Sequence, residues 1–172
     1  MSTHGSMGTH VGHDPSAATL GHVTHVPWRE LKDATGSAAA IPFLLAALAS
    51  GDAAAADTAL ERLRNRICQY GFVVDQATAV TVPFLWDLAE RPQVTCRAQI
   101  LHLLRNIAGA HQWKTAAAAY PKACRGHSDY VAWEDAARRA VHAHSGAIPR
   151  LLNERDAELV HATEALASAL AG

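Results

Sequence analysis

Aromatic residues make up only 6% of the chain, there are just three cysteines, and positive charge is not in surplus. Each shortage excludes something. Cys68, Cys96 and Cys124 are an odd number without a CxxC pair, so neither a disulfide framework nor a zinc site is indicated, and a reducing, cytoplasmic setting is expected. No apolar run approaches the roughly 18 residues of a membrane span, so no membrane partner is expected. The N-terminus lacks the basic segment and apolar stretch of a secretory signal. A net charge of −1 argues against a nucleic-acid partner, whose binding domains are strongly basic.

What is present points to helix. The 172 residues are 49% hydrophobic, enough for one domain with a sizeable core. Alanine comes in blocks, at 53–56 and 116–119, and arginine greatly outnumbers lysine; both are strong helix formers. The charge is unevenly spread. Residues 1–61 hold two basic and six acidic side chains, residues 62–128 nine and three, and residues 129–172 four and seven. Between Arg91 and Ser128 there is no carboxylate at all. This stretch is either a solvated basic face or a surface for an acidic protein or a small anion.

A phrase repeats. Ile41-Pro42-Phe43-Leu44 returns 41 positions later as Val82-Pro83-Phe84-Leu85, and Leu63-Arg64-Asn65 returns at the same offset as Leu104-Arg105-Asn106. Repeats of about 40 residues mark stacked helical hairpins. Pro27-Trp28 is expected to open a leading helix. Ser37 then caps a helix carrying Phe43, Leu44 and Leu48 as its buried stripe, and a second runs over 53–70 with Leu60, Leu63 and Ile67 inward. Gly71 ends that helix, Asp75 caps the next, which carries Val82, Phe84, Leu85 and Leu88, and a helix over 93–108 repeats the stripe with Leu101, Leu104 and Ala108 before Gly109. Pro42 and Pro83 are expected to bend their helices from within. After an irregular insert at 110–128, Ile148-Pro149-Arg150-Leu151 echoes the phrase, and Asp156 caps a last helix. The expected fold is all-α, with a leading helix and three hairpins over about 37–71, 75–109 and 129–171. Residues 1–25, with His4, His10, His13, His22 and His25, are expected to be a flexible tail. Such a His-rich tract is either a plain leader or a binder of divalent ions.

The run "NRICQYGFVVDQATAVTVPFLWDLAE", residues 65–90, carries a resemblance. Over about residues 27–170 the chain is similar to the small stand-alone HEAT-repeat proteins of actinobacteria. The resemblance implies an α-solenoid with the second helix of each hairpin on a concave side, and mainly protein binding as its function. The insert at 110–128 departs from the repeat spacing.

On the second helix of the first hairpin, Glu61, Asn65 and Gln69 fall at i, i+4 and i+8. One repeat later come His102, Arg105 and Asn106. In a HEAT-like stack these line the groove. They are either an ordinary polar face, a binding groove, or, with Glu61 and His102 as an acid–base pair, a small cofactor-independent enzyme. For such an enzyme a biosynthetic cyclase or isomerase, or a protein like the HEAT-like DNA glycosylases, is the class implied. Trp113 and Tyr120 in the insert are candidate contacts, either a lid over the groove or rings packed on the fold itself. His102, Cys124 and His127 match no metal-binding spacing, and no cofactor is expected.

Overall fold

In the computed structural model, residues 21–126 and 128–172 are described, and most of them are helical. Among the described residues the α-helices are, in order, α1 (Ile41–Ser50), α2 (Ala53–Ile67), α3 (Gln76–Ala89), α4 (Arg97–Ala108), α5 (Gln112–Ala119), α6 (Ser128–Ala143), α7 (Ile148–Leu152) and α8 (Ala157–Ala171). Two short antiparallel ribbons accompany them. One pairs β1 (Lys32–Asp33) with β2 (Gly36–Ser37), and the other pairs β3 (Cys68–Gln69) with β4 (Val73–Val74). The fold is all-α, as expected.

The caps act where the sequence places them. Asp52 accepts from the Ala55 N–H at 2.8 Å, and Asp156 accepts from those of Glu158 and Leu159 at 3.0 and 3.2 Å. Asp75 and Thr78 form a reciprocal capping box at the start of α3. The inward stripes also hold except in α1, where Ile41, Leu45 and Leu48 are buried in place of the expected Phe43, Leu44 and Leu48. Leu60, Leu63, Ile67, Val82, Phe84, Leu85, Leu88, Leu101 and Leu104 all lie in one core with Leu159, Ala162 and Leu166. Besides pairing within hairpins (α1 with α2, α3 with α4), α3 packs on α6 and α4 packs on α8.

Several expectations fail. The leading helix is absent: Trp28–Glu30 make one 3-10 turn, and the chain then turns back through β1 and β2. Asp33 forces this, because its carboxylate accepts from the Thr35 N–H and hydroxyl at 2.8 and 2.7 Å, a side-chain-to-backbone bond that competes with helix. Pro42 does not bend α1. It stands in the first turn, after a 3-10 turn over Ala38–Ala40, where a proline removes no needed N–H. Pro149 repeats this arrangement at α7 after Ser145–Ala147, so the helix expected over 129–152 is divided. Of the three prolines in the repeated phrase, Pro83 alone lies inside its helix.

Phe43 is not core but 77% exposed. The helix expected to reach residue 70 stops at Ile67, and Gly71 sits in the β3–β4 turn rather than at a helix end. Residues 93–96 precede α4 as a link that buries Val94 and Cys96. The insert contains a helix of its own, α5. The ordered fold begins before residue 26, since Val23–His25 make a 3-10 turn whose Val23 carbonyl accepts from the Trp28 indole N–H at 2.7 Å. His4, His10 and His13 lie outside the described residues.

Candidate binding face

The β3–β4 ribbon organises the face that the sequence marks as polar. Tyr70 and Gly71 both adopt left-handed φ, 58° and 83°. Glycine takes this conformation freely; a tyrosine does so at a cost of roughly 1–2 kcal/mol. The turn thrusts two rings into solvent, Tyr70 at 77% and Phe72 at 45% exposure, with centroids 6.3 Å apart. Neither ring is anticipated from the repeat pattern; the one local signal is an aromatic on each side of a glycine. The ribbon touches α4. A Cβ placed on Gly71 would stand 4.0 Å from the amide nitrogen of Asn106, an ordinary contact, so the turn lies beside that side chain and it is the left-handed φ that favours glycine here.

The predicted site residues are only partly gathered. Arg105, Asn106 and His102 are exposed on α4, and Asn106 meets the ribbon turn. Gln69 is half-buried in β3 opposite Val73, on the ribbon instead of a helix. Asn65 turns elsewhere: it lines a depression with Phe43, Leu44 and Arg62. Glu61 and His102 are both exposed, and among the described residues no hydrogen bond joins them.

The insert packs mainly on the fold itself. Trp113 stacks on Tyr130 with centroids 4.5 Å apart, and Trp133 meets Tyr130 edge-on at 5.0 Å. Glu134 of α6 is fully buried, and its two oxygens accept from the N–H groups of Trp113 (2.7 Å) and Lys114 (3.0 Å). A buried carboxylate thus caps α5, where the helix leaves N–H groups without partners. Arg138 adds a bond to the Ala110 carbonyl at 3.3 Å and pairs with Asp135. Tyr120 stays 68% exposed.

A second polar cluster clamps the end of α2 to the start of α3. Arg66 pairs with Asp33 at 2.9 Å and also donates to Thr35 at 2.7 Å, while Thr78 donates to the Ile67 carbonyl at 2.6 Å. Burial and the nearby Asp33 carboxylate push Asp75 up to about 6. Burial pushes the Cys68 thiol up to about 12, with Asp75 adding to it against the lowering effect of Arg64. Among the described residues, no group of three or more His, Cys, Asp or Glu could hold a metal ion, and no helix is long and apolar enough to cross a membrane.

Compared with known proteins, the chain matches no family model, no curated protein and no solved structure.

Proposed function

We propose that this protein is a HEAT-like binding scaffold that holds an acidic protein segment on the face built by the β3–β4 ribbon and α4. One observation carries the reading: two exposed aromatic rings, Tyr70 and Phe72, stand on a strained turn beside Asn106, on a helix that also presents Arg105 and His102. Backbone strain at an exposed aromatic supports a functional surface. Aromatic rings and arginine are the side chains that dominate interface energetics. The surrounding sequence lacks carboxylates from residue 91 to residue 128, which favours a negative partner.

The test is affinity capture from the source cells, followed by titration of the retained protein at two salt concentrations. The reading expects an acidic protein whose capture is lost in Arg105→Glu and in the double variant Tyr70→Ala with Phe72→Ala. Retention of the same proteins by both variants would refute it.

A further inference from the structure

Among the described residues nothing covers one flank of the first hairpin. Two depressions of about 520 and 540 Å³ lie end to end between α1 and α2, and both are lined by Phe43, Leu44 and Arg62. Toward the start of α2 the floor is built of small side chains, among them Ala47, Ala55 and Ala59. Toward its end the lining turns polar, with Asn65 and Arg66. From Ala54 to Arg66 the trough follows thirteen residues of α2, a rise of roughly 18 Å at about 1.5 Å per step, or about three turns of a second helix laid alongside.

The repeat explains why this surface is apolar. Phe84, which holds the same place in its phrase as Phe43, is 5% exposed because Trp28 lies against it with ring centroids 6.0 Å apart. Among the described residues no ring packs against Phe43 as Trp28 does against Phe84; Phe43 is 77% exposed and only lines a depression that Trp28 also lines. It is therefore a side chain of core type placed where an adjoining element would bury it, beside a floor of alanines that lets a helix backbone approach closely.

The charge around the trough selects the occupant. Arg62 is exposed and lines both depressions, and no carboxylate lines either one. Of the acidic groups nearby, Glu30 lines an adjoining depression with Phe43, and Glu61 is exposed next to Arg62 in α2. Asp33 is held by Arg66 and Thr35, and Asp52 caps α2. Asp57 lies near enough to Cys96, the residue before α4, for its charge to help raise that thiol's pKa. An exposed cation beside a trough that is apolar toward the start of α2 suits an amphipathic helix with carboxylates along the edge of its apolar face.

We infer that the α1–α2 flank is a docking groove for an acidic amphipathic helix of a partner protein, with Phe43 as its apolar anchor and Arg62 as the charge that sets partner choice. This surface is distinct from the ribbon face, and its occupancy does not depend on the function proposed for that face.

The experiment uses the full chain and a fluorescein-labelled peptide of about 18 residues, with leucine and isoleucine on one face and glutamate along its edges. A matched peptide carries lysine in place of glutamate. Fluorescence anisotropy should show saturable binding of the acidic peptide and at least about tenfold weaker binding of the lysine peptide. Phe43→Asp should weaken the acidic peptide by about tenfold or more, and Arg62→Glu should reverse the preference between the two peptides. His102→Ala with Asn106→Ala should leave both affinities unchanged, which separates this groove from the ribbon face. Phe43 and Arg62 are exposed, so both variants should keep the wild-type circular dichroism and melting temperature. Equal binding of the two peptides, or no effect of Phe43→Asp, would overturn the inference. So would sedimentation showing a wild-type dimer that Phe43→Asp dissociates, since a second copy would then be the occupant.

Discussion

The Trp28 ring lies 6.0 Å from that of Phe84, tilted by 49°, and Phe84 is 5% exposed where Phe43 is 77% exposed. Two residues in one repeated phrase therefore carry different energies. Phe84→Ala should destabilise the protein by about 3–5 kcal/mol, the cost of emptying a buried phenylalanine site. Phe43→Ala should cost under about 1 kcal/mol, as expected for an exposed position. Urea denaturation monitored by circular dichroism checks both, and equal losses would contradict the burial difference.

Glu134 anchors the insert through two backbone donors. Glu134→Ala leaves those donors without their carboxylate partner, and stability should fall by about 1–3 kcal/mol. Amide exchange in α5 should rise first, because that helix buries no residue fully and relies on its cap. Hydrogen exchange read by mass spectrometry over residues 112–119 measures the effect.

Asp75 makes stability depend on pH. Its folded value is about 6 against an ordinary value of 3.8, so between those limits the folded state binds more protons than the unfolded state. Its contribution is then full below about pH 4 and fades as pH rises through 6. Asp75→Asn removes this dependence while keeping a residue that caps well. The stability of the variant minus that of the wild type should therefore grow from pH 4 to pH 6 and level off above it. Denaturation at pH 4, 5, 6 and 7 tests the sign.

The three thiols should differ sharply in reactivity. Cys68 and Cys96 are buried, and burial raises the pKa of both, Cys68 to about 12, which suppresses the thiolate. Cys124 is half-buried on the link that follows α5. Iodoacetamide at pH 8 should modify Cys124 in the native protein and the other two only after unfolding. Intact-mass spectrometry counts the adducts.

Much of this architecture was legible in the primary structure, because helix caps and apolar stripes are local. Asp52 and Asp156 start helices wherever their side chains can reach the next N–H groups, and Leu60, Leu63 and Ile67 share a face by helical geometry alone. The repeated phrase pointed to matching local structure, but it did not settle what lies outside each copy. Whether a phenylalanine is core depends on the element next to it: Trp28 serves Phe84, and among the described residues nothing equivalent serves Phe43. The intended row of Glu61, Asn65, Gln69, His102 and Asn106 divided for a similar reason. The β3–β4 ribbon replaced the last turn of the expected helix, carried Gln69 into a strand and raised Tyr70 and Phe72 into solvent. Glu134 escaped notice because its partners, Trp113 and Lys114, lie about twenty positions upstream, a distance no helical period encodes. Spacing along the chain determined which residues share a helix face. Tertiary packing alone decided which of those faces are covered, because burial depends on contacts between segments far apart in sequence.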